Sequence, residues 1–187
     1  MGSLTPEQKS LIIGIILGDG YLRIVPRRKN AFLEVNHSAN QKDYVDWKYN
    51  ILQSIVKSKP KLRNGNGHRI ACRFYTRCLP EITDLYKTFY REKQKVIPEG
   101  LSIDPIGLAT WYMDDGSKCG SSIYFNTQQF SLVDQVRLQK VLEKFGIHSN
   151  LNKDKQYHRI RVISKDAIKL CNLIREYIPE SMQYKLV

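Results

Sequence analysis

Leu11-Ile-Ile-Gly-Ile-Ile-Leu-Gly-Asp19-Gly20 and Gly107-Leu-Ala-Thr-Trp-Tyr-Met-Asp114-Asp115-Gly116 end alike, each an apolar run closed by an acid and a glycine. A chain of 187 residues thus carries two copies of one device. The device is unfavourable on its own terms, because a carboxylate at a helix C-terminus faces the negative end of the macrodipole, at a cost of about 0.3–1 kcal/mol. The pattern predicts positive charge beside both ends.

Working outward, the repetition extends beyond the two runs. Glu34-Val-Asn36-His-Ser38 leads into Tyr44-Val-Asp-Trp-Lys, and Tyr124-Phe-Asn126-Thr-Gln128 leads into Asp134-Gln-Val-Arg-Leu, with Asn36 and Asn126 90 residues apart. His68-Arg69-Ile70 returns as His158-Arg159-Ile160 at the same interval, and Lys95 in Gln-Lys-Val as Lys185 in Tyr-Lys-Leu. Asp19 and Asp115 are 96 apart, so about six extra residues are expected near the first hairpin. An ordered series at a fixed interval reads as an internal duplication, with halves 1–98 and 99–187. Each half reads as helix, hairpin, helix, hairpin, helix, an α/β chain of the α+β kind. Thr5-Pro6-Glu7-Gln8 has the form of a capping box with Pro at the first helical position, and Asp104-Pro105 opens the second copy similarly. Gly20 and Gly116 supply the stops. Strands are expected within 21–25, 31–38, 68–77, 121–128 and 157–164, with a turn at Asn64-Gly65-Asn66-Gly67.

Lys and Arg total 30 against 18 acidic residues, a formal charge of +12, which points to a polyanionic partner. Cys72, Cys78, Cys119 and Cys171 form no Cys-x-x-Cys pair and have no His at zinc spacing, so reduced thiols in an intracellular setting are expected. The run Leu11–Leu17 is too short to cross a bilayer, and no membrane partner is expected.

Alternation places the charge. In 69–77 one side carries Arg69, Arg73, Tyr75 and Arg77 and the other Ile70, Cys72 and Phe74, while Arg159 and Arg161 oppose Ile160 and Val162. The first hairpin adds Arg23, Arg27, Arg28 and Lys29; its return strand groups Glu34, Asn36 and Ser38, matched in the repeat by Tyr124, Asn126 and Gln128. Arg63, Lys118, Lys153 and Lys155 extend the basic set. Guanidinium, amide and carboxylate groups read base edges in the major groove and lysines contact phosphates, so double-stranded DNA is the expected partner. Gly14 and Gly18, four apart, allow close approach of a second helix, with Ala109 near the corresponding place. Side-by-side packing then brings Asp19 and Asp115 to a common end. Two carboxylates a few ångströms apart call for a cation, and all-oxygen ligation suits Mg²⁺, with Mn²⁺ as a substitute. Such a metal clamp serves phosphodiester cleavage.

The two stretches resemble the signature helices of the LAGLIDADG homing endonucleases, in the branch with both motifs in one chain. Ile12–Gly20 fits the nonapeptide with Leu17 in place of its first acid, and Leu108–Gly116 fits with Thr110 at the usual small Gly and Met113 in place of that acid. The resemblance implies a saddle-shaped αββαββα fold repeated twice in a monomer, with the motif helices at a pseudo-twofold axis and two antiparallel sheets in the major groove. It implies Mg²⁺-dependent double-strand cleavage of a long asymmetric site with short 3′ overhangs. Asp19 and Asp115 match the metal-binding acids, with the backbone carbonyls of Gly18 and Asp114 as further candidate ligands. Lys95 and Lys185 match the family's basic positions, expected to stabilise phosphorane charge or polarise the attacking water. Gln128 matches a polar residue that orients the water network; its counterpart here is Ser38, which is shorter and predicts unequal sites. The alternatives on the same fold are a maturase binding intron RNA and a non-catalytic DNA-binding regulator. An intein is less expected, since no splicing Cys or Ser opens the chain and no His-Asn closes it.

Overall fold

The computed structural model describes residues 4–65 and 69–186; Asn66 and Gly67 of the expected turn and His68 of the expected strand lie outside the described residues. Helix α1 (Pro6–Leu17) begins as its sequence dictates: the Thr5 hydroxyl accepts from Gln8 N at 3.1 Å, and the Gln8 amide oxygen accepts from Thr5 N at 3.2 Å. Helix α4 (Pro105–Asp115) opens on Asp104, whose carboxylate accepts from Gly107 N at 3.0 Å. Both helices are apolar on nearly every side because they are buried on nearly every side, packed against each other at the centre of the molecule. A Cβ on Gly14 would lie 2.4 Å from the Gly107 carbonyl oxygen and 2.7 Å from Thr110 Cβ, and one on Gly107 would lie 3.2 Å from the Ser10 carbonyl. The close approach is thus Gly14 against Gly107 and Thr110. Ala109, the residue expected from sequence, is buried but is not among Gly14's nearest neighbours.

After α1 come β1 (Tyr21–Arg23), β2 (Phe32–Ser38), α2 (Lys42–Leu52), β3 (Lys61–Asn64), β4 (Ile70–Tyr75) and α3 (Pro80–Phe89). A short hairpin, β5 (Tyr90–Arg91) and β6 (Gln94–Lys95), leads towards α4. Then follow β7 (Gly116–Cys119), β8 (Ser122–Phe125), α5 (Leu132–Glu143), β9 (Ser149–Asp154), β10 (Tyr157–Val162) and α6 (Ser164–Ile174). The order αββαββα therefore occurs twice. Each set forms a four-stranded antiparallel sheet, β1-β2-β4-β3 and β7-β8-β10-β9. The inward faces, Leu22, Leu33, Val35, Cys72 and Phe74 in one sheet and Ile123, Phe125, Ile160 and Val162 in the other, are almost fully buried. Each such apolar side chain contributes about 1.5–3 kcal/mol of transfer free energy. Trp111 of α4 seats on Phe125 with ring centroids 4.2 Å apart, fixing the motif helix to its own sheet.

Strand register both supports and corrects the repeat. Tyr21 pairs with Glu34 and Ser117 with Tyr124, and the first hairpin connection runs through 24–31 where the second has only 120–121. The extra residues lie where the sequence placed them. Farther on, Glu34 pairs with Tyr75 and Tyr124 with Arg161, so Arg161 occupies the place of Tyr75, and Arg159 that of Arg73. The matching His-Arg-Ile tripeptides are therefore four residues out of register. A shift by an even number leaves every side chain on its original face, which is why the reading of a cationic face survives.

Candidate active centre and nucleic-acid interface

Asp19 follows the Gly18 cap of α1, and Asp115 is the last residue of α4. The positive charge expected at both ends is present. Lys95, carried by the β5–β6 hairpin, donates from Nζ to the Gly18 carbonyl at 2.6 Å. Lys185, in the 3-10 segment Glu180–Lys185, donates to the Met113 carbonyl at 2.6 Å and the Gly116 carbonyl at 2.9 Å. Each ammonium satisfies orphan carbonyls at a helix C-terminus and offsets the local dipole. The Tyr112 hydroxyl donates to the Lys185 carbonyl at 2.5 Å and holds that segment against α4.

Burial, then the charges of Asp19 and Asp114, push the Asp115 carboxyl up to about 7. Asp19 is also raised, by desolvation and by Asp114, although 52% of its side chain is accessible; Asp115 is the more perturbed acid. Burial pulls the Lys95 ammonium down to about 8 against the attraction of the three acids, and lowers Lys185 in the same way. Two concavities meet at Asp19. One, of about 710 Å³, is lined by Gly18, Lys93, Lys95, Gln129 and Ser131; the other, of about 630 Å³, by Asn36, Ser38, Arg69 and Arg73.

The sequence reading of Asp114 concerns its backbone carbonyl; its side chain has a separate role. Its carboxylate crosses the helix pair into the N-terminal set of elements, where Oδ1 accepts from Lys48 Nζ at 2.6 Å and from the Tyr44 hydroxyl at 2.8 Å. Both charged side chains are fully buried. His37 Nε2 lies 2.9 Å from Lys48 Nζ, and burial and Lys48 hold the imidazole down at about 4, neutral and able to accept. Asp19, His37 and Asp114 offer ligand atoms within 4.8 Å of one another, but the Lys48 ammonium is within hydrogen-bond reach of two of the three and already supplies a cation there. Sequence reasoning missed Lys48, Tyr44 and His37. One signal was available: Lys48 lies four residues after Tyr44, on the helix face that buries Val45 and Leu52.

The amides also differ from expectation. Gln128 donates to Asp154 Oδ2 at 2.9 Å, at the end of β9, and the neighbouring Gln129 is the amide that reaches Asp115, at 3.3 Å. The chain turns out of the sheet after Phe125, so alternation no longer predicts which glutamine faces the acid. Asn126 N donates to the Asp115 carbonyl at 2.9 Å and ties that turn to the end of α4.

The outward faces of the sheets are polar and carry arginines. In the first, Glu34, Asn36 and Ser38 pair with Tyr75, Arg73 and Ala71, and Arg63 and Lys61 flank them from β3. Glu34 is held between Arg23 at 3.0 Å and Arg73 at 3.4 Å. In the second, the Arg159 and Arg161 guanidiniums lie 4.2 and 6.0 Å from the Tyr124 ring centre. Arg27, Arg28 and Lys29 are exposed on the long first connection and Arg69 and Arg77 flank β4, also exposed. Arg27, and Lys155 at the β9–β10 turn, take left-handed backbone (φ 69° and 55°). Lys118 and Lys153 depart from the expectation: they pair with Ile123 and His158, on the parity of the packed face, and Lys118 reaches back to the Leu186 carbonyl at 3.4 Å.

The family model of the LAGLIDADG DNA endonucleases matches residues 9–170. The chain belongs to the LAGLIDADG DNA endonuclease family. Among its relatives, the probable intron-encoded endonuclease 1 of Wickerhamomyces canadensis is 27% identical over 99% of this chain and 86% of its own. The cytochrome b mRNA maturase bI2 of Debaryomyces hansenii is 25% identical over 98% of this chain and 74% of its own. The protein RecA of Mycobacterium gastri is 29% identical over 98% of this chain, which spans 48% of that protein. Among solved structures, the homing endonuclease I-WcaI bound to its DNA recognition sequence superimposes with a TM-score of 0.93 at 28% identity, over 100% of this chain and 88% of its own. The structure of I-DmoI with target DNA and Mn, at 13% identity and a TM-score of 0.57, shares the fold over 95% of this chain and 100% of its own. In LAGLIDADG terms the paired motif helices are α1 and α4, and the two sheets flank them. None of the described helices is long and apolar enough to cross a membrane.

Proposed function

We propose that this LAGLIDADG chain is a monomeric homing endonuclease that cuts both strands of a long asymmetric DNA site and leaves short 3′ overhangs. The halves 1–98 and 99–187 each lay one sheet in the major groove of a half-site. The observation that carries this reading is the common end of α1 and α4: two acids, each beside a lysine bonded to helix-end carbonyls, between two outward polar faces that carry arginines. The donor set fits a hard divalent cation: burial first, and then the nearby charges of Asp19 and Asp114, raise the Asp115 carboxyl, and a cation bound between the acids relieves that repulsion. Asp19 and Asp115 would hold Mg²⁺, or Mn²⁺ in its place, which would supply activation of the attacking water and neutralisation of charge developing at the phosphate.

The chain's own groups have the remaining roles. Lys95 and Lys185 stand against the scissile phosphates and stabilise the added negative charge of the phosphorane; with its ammonium drawn down to about 8, Lys95 can also polarise water. Gln129, bonded to Asp115, orients that acid and the water beside it. Arg23, Arg73, Arg159 and Arg161, with Glu34, Asn36, Tyr75 and Tyr124, face the base edges, and Arg27, Arg28, Lys29, Arg63, Arg69, Arg77 and Lys155 contact phosphates. The maturase relative supports a second reading, intron RNA binding.

Sequencing of double-strand breaks on a randomised DNA library with Mg²⁺ tests this, run beside Asp19→Asn and Asp115→Asn. One long motif cut only by the unmodified chain is the expected result, with both variants at least about 100-fold slower, the order seen on removing a principal charge-stabilising group, and still able to bind. Binding without breaks points to a regulator. Neither binding nor breaks, together with intron RNA retention, points to a maturase.

A further inference from the structure

The Lys48–Asp114 ion pair occurs once, although almost everything around it occurs twice. Position 114 of α4 corresponds to Gly18 of α1, and the two face each other: a Cβ on Gly18 would lie 2.3 Å from Asp114 Cβ and 2.9 Å from its Oδ2. Only one of the pair can carry a side chain. That side chain reaches the N-terminal elements and meets Lys48, Tyr44 and, beyond Lys48, His37. At the repeat interval of 90, the corresponding residues of the other set are Leu138, Asp134 and Thr127. These are occupied otherwise: Leu138 is core, Asp134 bonds Ile97 N and Arg137, and Thr127 bonds Gln135 and Ile160 N.

We infer that Lys48 is a positioning residue for one of the two cleavage centres, and that the one-sided clamp on Asp114 makes the two strands unequal in cutting rate. Asp114 precedes Asp115 by one peptide, so a carboxylate held at 2.6 and 2.8 Å in a fully buried pocket limits the rotation of the backbone that presents Asp115. Asp19 follows Gly18, which has no side chain to hold. The backbone around it is held by the Gly18 and Gly20 amides, which donate to the Gly14 and Ile15 carbonyls at 3.1 and 2.9 Å, and by Lys95 on the Gly18 carbonyl, with no side chain at position 18 to anchor. Asp115 is therefore preorganised by side chains from the opposite set of elements, and Asp19, among the described residues, by none of that kind. Preorganisation of this sort lowers the barrier only where the oriented group acts, so it shows as a difference between strands.

This inference rests on the endonuclease reading, and the experiment separates the two. A duplex carrying the site recovered from break sequencing is labelled on each strand in turn. Nicking of both strands is then timed for the unmodified chain, Lys48→Met and Tyr44→Phe, with Asp115→Asn and Asp19→Asn assigning strands. The unmodified chain is expected to nick one strand first. Lys48→Met is expected to slow, by roughly tenfold, the strand that depends more on Asp115, the equivalent of removing one hydrogen bond to a charged group, with the other strand nearly unchanged. Tyr44→Phe, which keeps the ion pair and the packing, shifts the ratio in the same direction by less. Should Lys48→Met fail to fold, by circular dichroism, the Tyr44→Phe ratio decides. Equal strand rates in the unmodified chain, or a parallel slowing of both strands in the variants, overturns the inference. No cutting at all by the unmodified chain overturns the endonuclease reading instead.

Discussion

Leu17-Gly18-Asp19 and Met113-Asp114-Asp115 are the same corner of the fold built twice; Leu17 against Met113 exchanges one apolar side chain for another, whereas Gly18 against Asp114 adds a carboxylate where the first copy has no side chain. At the first, a lysine from outside the helix bonds the carbonyl of the residue before the acid; at the second, the lysine bonds the carbonyls on either side of the acid pair. The first ends bare, whereas the second sends a carboxylate across the axis into a buried lysine. Two helices this close can be symmetric where they touch only with glycine on both sides. A true twofold demands the same residue on both sides, and the space at Gly18 and Asp114 admits one Cβ. Joining both motifs in one chain removes that demand, so a polar lock can be placed off-axis without clashing with its own image.

The largest test of this difference is thermodynamic. Asp114→Ala strands the Lys48 ammonium in a fully buried site, and removal of one partner of such a pair costs about 3–5 kcal/mol. The corresponding change on the other helix, Gly18→Ala, fills occupied space and is expected to cost about 1–3 kcal/mol by overpacking. Lys48→Met combined with Asp114→Asn removes both charges while keeping volume, and should recover most of the stability. Urea unfolding of the three proteins gives the ranking. If Asp114→Ala proves milder than Gly18→Ala, the corner is held by shape and the ion pair is incidental.

A second contrast lies between the two acids. The Asp115 carboxyl is raised to about 7, so the folded chain binds its proton more tightly than the unfolded chain, whose carboxyl titrates near 3.8. The resulting stability is complete below about pH 4 and is lost as pH rises through 7. In metal-free buffer Asp115→Asn should therefore melt higher than the unmodified chain at pH 8, with a smaller gain at pH 5. Asp19→Asn should follow the same sign more weakly, because its carboxylate is half open to solvent. Added Mg²⁺ at pH 8 should raise the melting temperature of the unmodified chain and do little for Asp115→Asn. A gain for Asp115→Asn that grows towards acid pH would show the sign to be wrong.

Much of this architecture was legible in the sequence because it is written in local chemistry. Thr5 with Gln8, and Asp104 with Pro105, announce helix starts, and the Asp-Gly ends announce the corners. The alternation of Arg73 and Tyr75 with Cys72 and Phe74 announces a half-buried strand. Strand β3 escaped because every residue of it is exposed, so it has no alternation to read. The register of β4 against β10 escaped because tripeptide identity carries no information about hydrogen-bond pairing. Lys48 escaped for a different reason. Its partner lies 66 residues away across an interface between the two sets of elements, and no spacing rule within a helix or strand reaches that far.

The smallest test sharpens the reading of faces. Arg161 stands on the outward face beside Tyr124, while Lys153 has the parity of Leu151 and Ile160 and is exposed only because it lies at the end of the sheet. If the outward faces are what meets DNA, Arg161→Ala should flatten the slope of log affinity against log salt by about 0.9 for each phosphate the side chain had neutralised, or relax one base preference if Arg161 reads an edge. Lys153→Ala should leave the slope where it was. Both lysine and arginine add one unit to the same net charge of +12, so a response set by overall charge would move the two variants equally. A response set by which face meets the groove moves only Arg161→Ala, and fluorescence anisotropy across a salt series resolves which holds.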